Sequence, residues 1–222
     1  MGTSPAATAP DGQLVAELLG AMAYGELSAF GRLSFDSRYA PTLHDRSVLA
    51  KIAVGSYGNF ALLNDRLSEM GIDPEEAMLP FQRSFDHFHE RTKPGDWFES
   101  VMKAYVIDTV SSDFYRAVAA FLDATTQHFV DRVASPDQAT EVLRVLLRRA
   151  LADDPRLASR LALWGRRLVG EALTQAQRVG MEHPRLGPIL KSGGDARAAV
   201  KRLTGELAER HARRMTGLGL TA

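Results

Sequence analysis

Hydrophobic residues recur along most of this chain at intervals of three and four, the spacing that brings side chains onto one face of an α-helix. The clearest stripes predict helices over about 11–36, 45–70, 96–122 and 155–180, and strand-like alternation is almost absent. A further helical region over 126–151 contains Pro136, which should break or kink it, and a last helix is expected over 195–215. The pattern therefore predicts an all-α protein.

A long connection, 72–96, separates the second and third predicted helices and contains three prolines. We expect it to hold two short helices, near 74–81 and 82–91. Two long helices, a longer crossover and two more helices are the plan of a four-helix bundle with a crossover connection. We assign residues 12–216 to this bundle with additional C-terminal helices, 1–11 to a flexible N-terminal tail and 217–222 to a C-terminal tail.

Polar residues interrupt the inward stripes of the first three long helices. Glu26 lies on the first stripe, Ser56 and Asn59 on the second, and Asp108 on the third. Burial of an isolated carboxylate is costly, so some group must neutralise, coordinate or use these two acids. Bundles build ligand and metal sites from inward-projecting side chains. We therefore expect Glu26 and Asp108 to converge inside the bundle.

Composition narrows the class of protein and its partners. The chain has no cysteine, which excludes disulfides, thiolate metal sites and cysteine nucleophiles. Lys and Arg number 27, as do Asp and Glu, and this balance argues against a nucleic-acid partner. No apolar run approaches the ~20 residues needed to span a bilayer, and the N-terminus lacks a signal-peptide pattern. We expect a cytoplasmic protein with no membrane association. A hydrophobic patch on the 155–180 helix could form the interface of a homo-oligomer.

Several segments of the chain are more specific than its periodicity. They are AYGELSAF (23–30), FDHFH (85–89) with PGDW (94–97), KAYVID (103–108), DFY (113–115) and LWGRRLVGEAL (163–173). These segments resemble ferritin-like proteins related to the methylthio-isopentenyladenosine tRNA hydroxylases, the MiaE-like group, and the resemblance covers most of the chain from about residue 14 to 216. It implies a ferritin-like fold and, for the family, oxygen-dependent hydroxylation at a di-iron centre.

The di-iron ligands that the resemblance implies are only partly present. In ferritin-like carboxylate proteins, two helices supply one carboxylate each and two others supply a Glu-x-x-His pair. Glu26 and Asp108 match the single carboxylates, but the pair expected on the second helix reads Ser56 and Asn59. The chain contains no Glu-x-x-His, and no histidine lies between His128 and His183. We therefore expect a degenerate di-iron motif, with neither a metal nor another cofactor, and the family's hydroxylation should not be carried over.

The remaining chemistry favours a small-molecule enzyme that performs non-redox acid–base chemistry in the bundle cavity: a cyclisation, isomerisation, elimination or hydrolysis. Glu26 and Asp108 would be catalytic, because two neighbouring carboxylates can share a proton and act as acid and base. Two alternatives stay open: a metal-dependent hydroxylase of the MiaE-like type with an unusual site, and a non-catalytic binding or scaffold protein. The residues expected to bind substrate are Tyr24, Ser56, Tyr57, Asn59, Tyr105 and Tyr115.

Two further groups of residues have simpler interpretations. Asp86 and His89 are three residues apart in the crossover, and we expect them to make capping and surface hydrogen bonds rather than bind a metal. Glu171 is expected to form an ion pair with Arg167 or Arg178 on its own helix. A mononuclear Mg or Mn site formed by Glu26, Asp108 and Glu171 remains an alternative.

Overall fold

The computed structural model describes residues 10–135, 138–182 and 196–221. Within these ranges the chain is almost entirely helical and has no strand, and no helix there is long and apolar enough to cross a membrane. The helices are α1 (Pro10–Asp36), α2 (Leu43–Glu69), α3 (Pro74–Arg91), α4 (Trp97–Ala119), α5 (Ala124–Val133), α6 (Gln138–Asp153), α7 (Leu157–Glu182) and α8 (Ala196–Gly217). The all-α bundle is confirmed. The predicted break at Pro136 lies outside the described residues, although α5 and α6 end and begin on either side of it.

The first two helices form an antiparallel pair, since only a short 3₁₀ turn, Ser37–Tyr39, and three residues connect them. Thr42 ends this connection, and its hydroxyl accepts a hydrogen bond of 3.0 Å from the backbone N–H of Asp45. That bond satisfies one of the free donors at the start of α2. The apolar side chains that α2 buries completely are Leu49, Ala53, Leu63 and Leu67.

The crossover contains one continuous helix, α3, where we expected two short ones. Pro80 lies inside it, but on its exposed side, so water can bond the carbonyl that the proline ring leaves without a donor. On another face of the helix Phe81 and Phe88 are buried. Burial of this apolar face keeps the helix in one piece across the proline.

The crossover helix approaches α1 closely at Gly20. A Cβ atom at this position would lie 2.2 Å from the backbone oxygen of Ala77 on α3. No residue larger than glycine fits there without a shift of one backbone. This contact fixes the separation of α1 and α3, both of which line the cavity described below.

The central helix of the bundle is α4, which packs against α6, α7 and α8 and also contacts α1 and α5. Most of its side chains are buried, including the polar Lys103 and Asp113. Arg210 and Arg214 of α8 both donate hydrogen bonds to the Asp113 carboxylate. These charge-assisted bonds attach the additional C-terminal helix to the bundle.

The segment that we assigned to a C-terminal tail packs against the bundle. Gly219 adopts a φ of 77° just after α8, and this left-handed conformation allows the N–H of Leu220 to bond back to the carbonyl of Met215. Leu218 and Leu220 are buried as a result, with 7% and 4% of their surface exposed. Sequence reasoning missed this arrangement because the segment is too short to show a helical stripe.

Candidate active-site cavity

A cavity of about 170 Å³, the main cavity, lies between α1, α2, α3, α4, α6 and α7, and Leu207 of α8 also lines it. Its walls are mostly apolar, and its volume is comparable to the ~150 Å³ of a protein cavity known to accept benzene. A small organic molecule therefore fits it. The polar or ionisable residues that line it are Glu26, Arg32, Ser56, His89, Asp108, Ser111, Ser112, Tyr115 and Gln175.

Glu26 is half-buried in the wall of this cavity, as the sequence predicted. Its carboxylate accepts a long hydrogen bond, 3.4 Å, from the side-chain amide of Asn59, which also donates to the backbone oxygen of Val133. Tyr115 lies nearby, and its pKa is raised by burial and by the negative charge of Glu26. Helices α1, α2 and α4 thus bring three of the predicted site residues together.

Asp108 lines the same cavity, but its side chain is exposed, whereas we expected it to be buried. Its carboxylate accepts a hydrogen bond of 2.6 Å from the hydroxyl of Thr140 in the first turn of α6. The residue is therefore at the edge of the cavity, in contact with both solvent and the interior. Helical spacing places a residue on a face but does not tell whether a neighbouring helix covers that face.

Ser56 lines the cavity as expected, but three of the predicted tyrosines do not. Each of them lies off the inward stripe of its helix, and one residue of displacement turns a side chain by about 100°. Tyr24 donates a 2.7 Å hydrogen bond to Asp86, and Tyr57 is 49% exposed. Tyr105 is buried on another face of α4, where burial raises its pKa.

Two pairs of residues, each with one member in the cavity wall, have the three-residue spacing of a metal-binding pair but not its chemistry. On α2 these are Ser56, which lines the cavity, and Asn59, which bonds Glu26. On α6 they are Thr140, which bonds Asp108, and the buried Leu143. Within the described ranges, no three histidine, aspartate or glutamate side chains are grouped so that they could hold a metal ion.

One end of the cavity is lined by Arg32, His89 and Gln175, which come from α1, α3 and α7. Burial lowers the pKa of Arg32, and burial with the nearby charges of Arg32 and Lys103 lowers the pKa of His89 to about 2. His89 is therefore a neutral interior residue and not the surface residue that we expected. Sequence reasoning missed Arg32 and Gln175, because single polar residues in amphipathic helices are usually solvated.

A second, more open cavity of about 540 Å³ lies on the other side of Arg32 and His89. Asp36 and Lys103 line it, and both are almost completely buried. Burial, followed by the charge of Arg32, lowers the pKa of Lys103 to about 6, and its amine donates a 2.9 Å hydrogen bond to the backbone oxygen of Thr92. Burial raises the pKa of Asp36, whose carboxylate lies 3.9 Å from Arg32.

Glu171 forms an ion pair, but not with a residue of its own helix. Arg91 of α3 donates hydrogen bonds of 2.9 and 2.8 Å to its two carboxylate oxygens. Arg167, one of the partners that we predicted, donates instead to the backbone oxygen of Arg91. These bonds connect α3 to α7 near the end of the cavity that Gln175 lines.

Comparison with known proteins supports the ferritin-like fold. A family model described as the ferritin-like domain of actinomycetes matches residues 11–193. A search of curated proteins found no match to the chain.

Proposed function

Because the chain belongs to the ferritin-like domain family of actinomycetes, we propose that it uses the bundle cavity of that fold for a reaction on a small molecule. The proposed chemistry is non-redox acid–base catalysis: a cyclisation, isomerisation, elimination or hydrolysis. The observation that carries it is that Glu26 and Asp108 line one mostly apolar cavity of about 170 Å³. In such a reaction one carboxylate takes a proton from the substrate while the other gives a proton to it, and neither step needs an oxidant.

The surroundings of the two carboxylates differ, which favours different roles for them, one as general acid and the other as general base. Glu26 is half-buried and bonded by Asn59, whereas Asp108 is exposed and bonded by Thr140. Pairs of titratable groups in unlike environments are the usual basis of acid and base roles. Asn59 and Thr140 act as positioning residues in this proposal.

The hydroxyls of Ser56 and Tyr115 complete the proposed site. Both residues line the cavity, and each hydroxyl can donate a hydrogen bond to a substrate oxygen or accept one from a substrate donor. Tyr24, Tyr57 and Tyr105 have no place in the main cavity, so we no longer assign them to substrate binding.

The resemblance to the MiaE-like group raises the question of a di-iron centre. The residues that would stand in for its two Glu-x-x-His pairs are Ser56 with Asn59 and Thr140 with Leu143. Hydroxyl and amide groups are poor iron ligands beside carboxylate and imidazole, and leucine offers none. The donor set does not fit a di-iron centre, so no step of the proposed reaction passes through one.

The test compares the purified protein with its Glu26→Gln variant. Each is incubated with a small-molecule extract of an actinomycete culture, and mass spectrometry follows which compounds disappear and form. We expect the wild type to convert a compound into a product of equal mass, or one that differs by a water molecule, and the variant to leave it unchanged.

Two results would contradict the proposal in different ways. An oxygen-dependent product with one added oxygen atom supports the hydroxylase alternative. Conversion of no compound, together with a Glu26→Gln variant as stable as the wild type, supports the binding or scaffold alternative. An Arg66→Gln variant, altered at an exposed ion pair on α2, is the matched control and should behave as the wild type does.

A further inference from the structure

Three polar side chains at one end of the main cavity have buried atoms with no hydrogen-bond partner among the described residues. The atoms are Nε of Arg32, Nδ1 of His89 and Nε2 of Gln175. Nη1 of Arg32 is also unbonded, but it lies 3.9 Å from the equally unbonded Oδ2 of Asp36. The three side chains come from three different helices, α1, α3 and α7, yet all three residues line the same cavity. Buried polar groups are nearly always hydrogen-bonded in native proteins, so this convergence indicates a missing partner.

The chemistry of these atoms defines that partner. The arginine and glutamine nitrogens can only donate hydrogen bonds, and the imidazole nitrogen donates in one of its neutral forms. A group that accepts hydrogen bonds from several donors at once must present more than one acceptor oxygen. The positive charge of the arginine favours a group with a negative charge. A carboxylate has this shape and charge.

We propose that Arg32, His89 and Gln175 bind the carboxylate of a small, otherwise apolar acid that occupies the main cavity. The inference rests on the proposed function, since it names the class of substrate on which Glu26 and Asp108 act. Arg32 follows Glu26 by six residues on α1, which corresponds to about 9 Å along the helix. Because Glu26 lines the same cavity, an acid held at Arg32 has room to extend its apolar carbons toward Glu26.

The neighbouring charges are compatible with an anion at this position. Asp36 lies 3.9 Å from Nη1 of Arg32 and lines the second cavity rather than the main one, and burial raises its pKa. Lys103 is buried beside it and can take up a proton when an anion binds. The negative charge of Asp108 acts on Arg32 and raises its pKa, against the larger effect of burial. The Asp108 carboxylate itself is exposed and accepts a hydrogen bond from Thr140.

The test uses matched pairs of probes that have the same shape but different charge: benzoate and benzamide, hexanoate and hexanamide, cyclohexanecarboxylate and cyclohexanecarboxamide. Binding to the full chain is measured by titration calorimetry and ligand-observed NMR. We expect at least one carboxylate to bind about tenfold more tightly than its amide, which is the preference that a hydrogen-bonded charge pair typically gives. The Nε–H resonance of Arg32 should shift when that carboxylate is added.

Variants identify the residues responsible. Arg32→Met should abolish the preference, and Gln175→Leu should weaken it, whereas Arg66→Met on the exposed side of α2 should leave it unchanged. The measurements on wild-type protein stand alone if a variant does not fold. Binding of none of the three carboxylates, equal binding of acid and amide, or a preference that survives in Arg32→Met would overturn the inference.

The Glu26→Gln variant separates this inference from the proposed function. It should keep the carboxylate preference, because Glu26 lies at a distance from the three donors, while it loses conversion of substrate. If conversion is unaffected by the variant but the preference for carboxylates persists, the acid site stands and the assigned chemistry is wrong. If conversion is lost but no carboxylate is preferred, the chemistry stands and the acid site is wrong.

Discussion

Asp108 on α4 accepts a 2.6 Å hydrogen bond from the hydroxyl of Thr140 in the first turn of α6. This bond joins two helices at the edge of the main cavity and holds one of the two carboxylates of the proposed site. Because the residue is exposed, the bond rather than burial determines where its carboxylate points.

Replacement of Thr140 by valine should remove that bond with little change in volume. We expect the free energy of unfolding to fall by about 1 kcal/mol, the usual contribution of one hydrogen bond, as measured by urea denaturation. Thr174→Val is the control, since its hydroxyl bonds only the carbonyl of Gly170 in its own helix. Equal effects of the two substitutions would mean that the bond between α4 and α6 contributes no more than a hydroxyl bonded within its own helix.

Gly20 should not tolerate a side chain. Alanine there would place its Cβ 2.2 Å from the backbone oxygen of Ala77, so α1 and α3 must separate. We expect a loss of about 1–3 kcal/mol in the free energy of unfolding, as for other overpacked sites. The matched control is Gly31→Ala, also within α1 but facing open space, which should gain about 0.5–1 kcal/mol. A Gly20→Ala protein as stable as Gly31→Ala would contradict the close packing.

The buried lysine should make stability depend on pH. The pKa of Lys103 is lowered from 10.5 to about 6, so between these values the unfolded chain binds a proton that the folded chain lacks. Stability therefore falls as the pH falls through this window. We expect Lys103→Met to remove roughly 4 kcal/mol of the difference in unfolding free energy between pH 9.5 and 6.5. The exposed Lys51→Met is the control, and an unchanged slope in Lys103→Met would contradict the assignment.

His211 should make stability depend on pH in a second, more acidic range. The residue is 3% exposed, and burial followed by the charge of Arg214 lowers its pKa from 6.5 to about 4. The unfolded chain binds the extra proton between these values, so stability is lost as the pH falls from 6.5 toward 4. Between pH 7 and pH 4.5, the free energy of unfolding of His211→Leu should fall by roughly 2 kcal/mol less than that of the wild type. Substitution of the exposed His128 by leucine should leave the fall unchanged. Thermal unfolding at both pH values measures this.

The sequence predicted the fold well because long apolar stripes determine which helices form and which faces they bury. It placed Glu26 and Ser56 in the cavity for the same reason, since both interrupt such a stripe. The wrong predictions have a common cause, because the sequence of one helix does not show which other helices pack against it. Pro80 looked like a break because the packing of α3 against α1 is not visible in the local sequence. Asp108 looked buried because coverage depends on a neighbouring helix.

The polar end of the cavity was beyond sequence reasoning for a related reason. Arg32, His89 and Gln175 lie on three helices that are distant in the chain, and each one alone is an ordinary polar residue of an amphipathic helix. The packing of α3 against both α1 and α7 brings them to one cavity. The partner of Glu171 was missed in the same way, because Arg91 belongs to α3 and not to α7.

The most direct test of the central claim is a titration of the metal-free protein with Fe(II) under anaerobic conditions, with iron per chain counted after removal of the excess. The donor set at Glu26 and Asp108 predicts less than one tightly bound iron per chain, with no difference between the wild type and Glu26→Gln. Two irons per chain in the wild type, lost in Glu26→Gln, would contradict the account and restore the oxygen chemistry of the ferritin-like fold.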